Sequence, residues 1–205
     1  MPTLLHIDSS PLDSSISREL TATFVEAWKA ANPSGTVVRR NLSEKPAPPI
    51  DQAWIYAAYT PEEQQTSEQK QLLALSEELI DEIKAADEIV IGVAMHNFGV
   101  PAVLKLWIDQ IARRGKTFVY DANGAKGLLT VKKATVLIST GGNYSQAPMA
   151  AMNFVEPYLV SVLGFLGITD VRALTASGAS QVMMGTVTRE AFIEPLTAQV
   201  KTLVA

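Results

Sequence analysis

Short apolar runs alternate along the chain with stretches in which apolar side chains return every three or four residues, and the alternation holds from one end to the other. The first run, 3–8, reads as a strand that stops at Asp8-Ser9-Ser10-Pro11. Over 17–31, Leu20, Phe24, Ala27, Trp28 and Ala31 share a helical face, with Ser17 placed as an N-cap and Pro33-Ser34-Gly35 as the stop. A β-branched strand over 36–42 runs into Lys45-Pro46-Ala47-Pro48-Pro49, a loop that cannot be regular structure. A short helix over 52–59 precedes a long one after Pro61, with Leu72, Leu75, Leu79 and Ile83 on one face. Residues 88–94 are apolar almost throughout, as a strand buried on both faces must be. A helix over 101–114 turns Leu104, Trp107, Ile108 and Ile111 inward. Within 117–130, Asp121-Ala122-Asn123-Gly124 is a hairpin turn signal. Strands over 134–140 and 169–176 and helices over 152–166 and 188–204 complete the pattern.

Strands thus alternate with helices. That order predicts an α/β architecture, a doubly wound five-stranded parallel sheet with helices on both faces, in one domain over 1–205. Composition agrees: 47% of the residues are apolar and 19% charged, which excludes a disordered or fibrous chain. The net charge of −4 offers no basic footprint for nucleic acid and no polybasic patch for a membrane. There is no cysteine, so disulfides, thiolate catalysis and Cys-ligated metals are out. The N-terminus lacks a signal-peptide pattern, no apolar run approaches a membrane span, and no His, Asp and Glu cluster has metal-ligand spacing. The expectation is a cytoplasmic protein.

In such a sheet, ligands bind beyond the carboxyl ends of the strands near the point where strand order reverses. Three loops follow strands there. The first, Ser9-Ser10-Pro11-Leu12-Asp13-Ser14-Ser15-Ile16-Ser17-Arg18, is rich in hydroxyls just before a helix start, where free N–H groups bind phosphate. The second is Met95-His96-Asn97-Phe98-Gly99 and the third Ser139-Thr140-Gly141-Gly142-Asn143-Tyr144. The Gly-x-Gly dinucleotide fingerprint is absent, and the chain is not read as a P-loop NTPase. One anion site made of hydroxyls fits a mononucleotide such as FMN. Its flat ring would need a cradle from the other two loops, where Gly141 and Gly142 allow backbone N–H groups to come close to a ring edge.

At these residues the chain resembles the FMN-dependent NADH:azoreductases and quinone reductases of the flavodoxin-like superfamily. The matching pieces are Ser9-Ser10, Ser15-Ile16-Ser17, Met95-His96-Asn97-Phe98, Pro101-Ala102-Val103-Leu104-Lys105-Leu106-Trp107-Ile108-Asp109, Thr117-Phe118, Ser139-Thr140-Gly141-Gly142, Pro157-Tyr158-Leu159 and Gly164-Phe165-Leu166-Gly167-Ile168. The resemblance implies that Ser10, Ser15, Ile16 and Ser17 hold the FMN phosphate. It implies that Met95, His96, Asn97 and Phe98 line the ring, and that Ser139, Thr140, Gly141 and Gly142 take its pyrimidine edge. It further implies a homodimer with two sites, each built partly from the partner, and Tyr120 as an aromatic lid. NADH or NADPH would donate electrons to quinones, azo compounds and nitroaromatics in two-electron, ping-pong fashion. The chain departs from the family at His96, where Tyr is common, and at Ala94, where Pro is common.

His96 is the one titratable group of the expected site and a candidate proton donor, although chemistry on the flavin itself needs no protein acid. His6 reads as structural, Lys105 and Asp109 as an i, i+4 pair, and Glu62, Glu63 and Glu68 as a solvated helix face. Met183 and Met184 fit an interface or a core. The second function class is an electron carrier or a flavin-binding regulatory module. A weakly acidic surface and the extra segments 43–85 and 115–133, which could cover a ring, argue for the enzyme.

Overall fold

The computed structural model describes residues 1–131 and 133–204; the 115–133 segment therefore includes one residue, 132, and the expected domain one more, 205, that lie outside the described residues. Five strands form the main sheet: β1 (Thr3–Asp8), β2 (Thr36–Asn41), β3 (Glu88–Ala94), β6 (Lys133–Thr140) and β7 (Val171–Ser177). All neighbours pair in parallel, in the order β2-β1-β3-β6-β7. Strand β3 sits at the centre, and its apolar run is buried on both faces as a central parallel strand requires. Alternate residues supply two separate cores. Leu5, Ile7, Ile89 and Ile91 face one side, and Leu4, Val90 and Leu137 the other.

Helices α3 (Ser67–Ala85), α4 (Ala102–Ile111) and α5 (Val155–Leu166) cover the first face. Helices α1 (Ile16–Ala31) and α7 (Arg189–Thr202) cover the second, where Phe24 and Trp28 meet Ile193 and Val200. A short helix α2 (Gln52–Tyr59) packs on α3 through Trp54, Ala57 and Leu73, and a one-turn helix α6 (Ser180–Met183) follows β7. Local chemistry starts these helices. Asp51 accepts from the Trp54 N–H, Thr66 and Gln69 form a reciprocal capping box, and Thr188 accepts from the Ala191 N–H.

Several expectations shift. Helix α1 begins at Ile16 with Ser15 as its N-cap, so Ser17 lies inside the first turn and does not cap it. On α3, Leu72 is 45% exposed, and the buried stripe is Leu73, Ser76, Leu79, Ile80 and Ile83. A 3-10 turn, Met149–Met152, precedes α5, which starts later than 152. Met183 and Met184 are exposed on and beside α6 and belong to no core.

The expected hairpin is present. β4 (Phe118–Asp121) and β5 (Gly124–Gly127) pair antiparallel, with Asp121 opposite Gly124, whose φ of 110° only glycine adopts readily. It docks on the C-terminal end of α5. Phe118 lies 4.7 Å from Phe165 ring to ring, and Leu129 N–H donates to the Leu166 carbonyl at 2.9 Å. Gly127 sits on the Leu166–Gly167 backbone so closely that a Cβ there would stand 2.2 Å from the Gly167 nitrogen. Among the described residues, no helix is long and apolar enough to cross a membrane.

Candidate functional site

The chain passes from β1 to the edge strand β2 and returns to β3 on the other side of β1, so order reverses between β1 and β3. The loops after β1, β3 and β6 meet at that carboxyl edge.

The first loop gathers buried hydroxyls at the N-terminus of α1. Ser10, Ser15 and Ser17 are buried to 2%, 7% and 0% exposure, and the Ser15 and Ser17 hydroxyls lie 2.9 Å apart. Ser15 makes no side-chain cap, and the first bond into α1 runs from Glu19 N–H to the Ser15 carbonyl. The N–H groups of Ile16, Ser17 and Arg18 therefore have no acceptor among the described residues, at the positive end of a helix dipole. Two arginines hold the loop, one at its end and one from the far end of the chain. Arg18 donates to the Ser10 carbonyl from Nε at 3.1 Å and Nη2 at 2.7 Å, and to Asn41 Oδ1 at 3.1 Å. Arg189, from the start of α7, donates to the Ser14 carbonyl at 2.8 Å and to Glu19 at 2.7 Å.

Beneath this loop lies a buried carboxylate. Asp8 accepts from Thr21 Oγ1 at 2.9 Å and from Arg39 Nη2 at 3.1 Å, and its Oδ1 lies 3.2 Å from His6 Nε2. Burial pushes the Asp8 carboxyl up, but His6, Arg39 and Thr21 together outweigh it and hold the group below its usual value. The network's stabilisation is thus complete above the unfolded value, about pH 4, and is lost as pH falls through the lower native value. Thermal denaturation of Asp8→Asn and the parent should give midpoints that are well separated at neutral pH and converge below about pH 4. A separation independent of pH would mean that the network acts by packing alone.

The second loop is a tight reversal. His96 and Gly99 exchange both backbone hydrogen bonds at 3.0 Å, and the two residues between them, Asn97 (φ 48°) and Phe98 (φ 71°), are both left-handed. Positive φ at both central positions defines a type I′ turn, which Asn tolerates and a bulky Phe adopts only under constraint. The constraint is visible: Phe154 N–H donates to the Phe98 carbonyl at 3.1 Å, and the Phe98 ring meets Tyr144 edge-on at 6.2 Å. His96, Asn97 and Phe98 are exposed at the edge, and the His96 imidazole makes no side-chain hydrogen bond among the described residues.

The third loop turns its carbonyls inward. Gly141 C=O accepts from Ser180 N–H at 3.1 Å and Oγ at 2.7 Å, while Gly142 C=O accepts from Thr140 Oγ1 at 2.8 Å and Gly178 N–H at 3.1 Å. The N–H groups of Gly141 and Gly142 find no acceptor among the described residues, and nothing stands within 4 Å of where a Cβ on Gly141 would be. Met95 N–H donates to the Ser139 carbonyl at 2.9 Å and ties the second loop to the third. Tyr144 also lines a cavity of about 500 Å³ with Asn153, Glu156 and Thr175.

The structure thus brings Ser10, Ser15, Ile16, Ser17, Met95, His96, Asn97, Phe98, Ser139, Thr140, Gly141 and Gly142 to one edge. Tyr120 is elsewhere. It is 60% exposed and meets Phe118 edge-on at 5.7 Å, and Phe118 rests on Phe165. Phe154, beside the second loop, is separated from Phe165 by about 16 Å along α5 at 1.5 Å per residue. The tripeptide Gly115-Lys116-Thr117 matches only the last three residues of a P-loop motif. Gln110 occupies the place of the motif's first Gly, the Thr117 hydroxyl donates to the Ile111 carbonyl at 2.6 Å, and the segment follows the end of α4 instead of opening a helix, so it is not a phosphate loop. His6 is structural as expected. Sequence reasoning missed Arg18, Arg39 and Tyr144. Arg18 and Tyr144 are the last residues of the first and third predicted loops and were given no role there, whereas Arg39 reaches the site only through its register opposite His6.

Known proteins share this layout. A family model described as flavodoxin-like fold matches residues 2–200. The FMN-dependent NADH:quinone oxidoreductase of Acidobacterium capsulatum is 54% identical over 202 residues, 98% of each chain. The protein of the same name from Nostoc sp. is 47% identical over 193 residues, 93% of this chain and 92% of its own. Among solved structures, an azoreductase from Bacillus anthracis superposes with a TM-score of 0.88 at 27% identity, over 100% of this chain and 99% of the other. A Bacillus anthracis FMN-dependent NADH-azoreductase solved in complex with FMN gives 0.87 at 25% identity, over 100% and 98%.

Proposed function

The chain belongs to the flavodoxin-like fold family, and on that premise we propose that it is an FMN-dependent NADH:quinone oxidoreductase that also reduces aromatic azo compounds. The observation that carries this reading is the pairing of two donor sets on one sheet edge. One is the free N–H groups of Ile16, Ser17 and Arg18 among three buried serines. The other is the free N–H groups of Gly141, beside open space, and of Gly142, beside the Tyr144 ring. The first set fits a phosphate and the second a ring edge that gains electron density, so the residues present fit FMN.

Bound FMN would supply two-electron hydride chemistry, accepting from NADH and passing to a quinone or azo acceptor. The chain's own part is to bind, orient and shield. Ser10, Ser15 and Ser17 add uncharged donors to the helix terminus. The locked turn at Asn97–Phe98 presents a fixed backbone and an aromatic face to the ring, and Gly141 and Gly142 direct dipoles at its pyrimidine edge. His96 stands exposed beside that turn, where it can pass a proton to an acceptor oxygen or nitrogen. The cavity beside Tyr144, about 500 Å³, is several times larger than a single small aromatic ring needs.

We further read the molecule as a cytoplasmic homodimer of single domains 1–205. Phe98, Phe154, Met152 and Val160 are exposed apolar groups on and around α5, and Tyr120 is a helix length away from its own chain's loops. A partner's hairpin would bring a second Tyr120 to each site. The electron-carrier reading is not favoured, since the relatives carry enzyme names.

Turnover tests the proposal. The purified protein with FMN, NADH and a soluble benzoquinone, and no protein partner, is expected to oxidise NADH with parallel double-reciprocal lines. No turnover without an added carrier protein would overturn the enzyme reading, and intersecting lines would overturn its ping-pong kinetics.

A further inference from the structure

We infer that Arg39 is a positioning residue for the cofactor phosphate: it cancels a buried like charge beneath the anion loop, and this inference rests on the FMN reading above. Asp8 is 2% exposed and ends β1, two residues before Ser10. Its Oδ1 receives the hydroxyl of Thr21, one helical turn after Ser17 on α1. Gly92, opposite Asp8 on β3, measures the closeness. A Cβ there would lie 3.3 Å from both Asp8 Oδ1 and the Ser17 carbonyl oxygen. The carboxylate therefore sits one side-chain width below the first turn of the helix whose end is to receive a phosphate.

A phosphate monoester carries close to two negative charges. A fixed carboxylate within one Debye length, with protein and not water between, opposes it. Three arginines serve the region, and Arg189 is engaged by the Ser14 carbonyl and Glu19. Arg18 is held by the Ser10 carbonyl and by Asn41, with Asp13 as its ion partner at 3.4 Å. Arg39 gives both Nε, at 3.3 Å, and Nη2, at 3.1 Å, to Asp8 Oδ2. Its guanidinium reaches in from the edge strand while its side chain stays half exposed, so removing it leaves little void behind. His6 completes the shell of Asp8 from the same strand. Arg39 touches neither the serines nor the free N–H groups among the described residues, and its effect on a phosphate runs through Asp8.

Riboflavin lacks the phosphate and shares the ring, which makes it the control. FMN and riboflavin are titrated into apoprotein at pH 8 and followed by quenching of flavin fluorescence. The parent is expected to prefer FMN. Arg39→Ala should raise the FMN dissociation constant about tenfold, the scale of one uncompensated charge at this range, with riboflavin changed by less than about twofold. Arg39→Lys should stay near the parent. The double variant Asp8→Asn with Arg39→Ala, which removes both charges, should return the FMN-to-riboflavin ratio toward the parent value. An equal loss for both flavins, or a double variant no better than Arg39→Ala, would overturn the inference and leave the FMN reading standing. A parent that does not distinguish the two flavins would remove the phosphate site, and the inference would fall with it.

Discussion

Replacing Ser15 with Asp is expected to strip the protein of FMN while leaving the fold at least as stable as before. Ser15 is the N-cap of α1 and makes no side-chain cap bond. Asp caps as well as Ser and adds a favourable charge at the helix N-terminus, worth about 0.3–1 kcal/mol. The same charge enters the space between Ser10 and the free N–H groups where the phosphate would sit. Against a group near −2, a carboxylate about 4 Å away at an effective dielectric of 20 costs several kcal/mol, so FMN affinity should fall by about a hundredfold or more. The flavin-to-protein ratio after purification and the thermal midpoint, read together, test this. A variant that purifies fully loaded would refute the phosphate assignment. A variant that unfolds would be silent on the phosphate but would show that α1 cannot accept an acidic cap.

Gly127→Ala should produce the largest structural effect of a single methyl group. The added Cβ would meet backbone, 2.2 Å from Gly167 N and 2.3 Å from Leu166 C, and neither can swing aside as a side chain could. The hairpin must lift off the end of α5, at a cost of about 3 kcal/mol or more, which for a chain of this size lowers the thermal midpoint by roughly 6–12 °C. No contact described joins the hairpin to the three loops, so FMN affinity should survive. Tyr120 moves with the hairpin, so NADH:quinone turnover should fall well beyond any change in FMN binding. An unchanged midpoint would contradict the close approach. Unchanged turnover in a destabilised protein would detach Tyr120 from the site.

Much of the fold was legible because periodicity reports burial directly. The apolar run 88–94 could be nothing but a central strand, and Leu104, Trp107, Ile108 and Ile111 are buried as their spacing required. The one-residue slip on α3, Leu73 for Leu72, arose because a run of apolar residues satisfies two neighbouring helical faces. Only packing against α2 and α4 chooses between them. The start of α1 was misplaced because Ser14, Ser15 and Ser17 are equally good caps by residue type, and the backbone alone decides. The three loops were legible because each follows an obvious strand. What strand register creates was not. Arg39 meets Asp8 only because β2 pairs with β1 in one particular alignment, and Phe98 at φ 71° breaks a local preference that no single sequence advertises.

The anion loop near the N-terminus is held by the far end of the chain. Arg189 grips the carbonyl of Ser14 and the carboxylate of Glu19, and the carbonyls of the third loop are held by Gly178 and Ser180. During synthesis, residues 9–18 leave the ribosome long before either clamp exists. β1 and α1 can therefore emerge and collapse, but the pocket has no finished walls until the last helix is free. Chains truncated before residue 189 lack the Arg189 clamp and are expected to retain less flavin than the full chain.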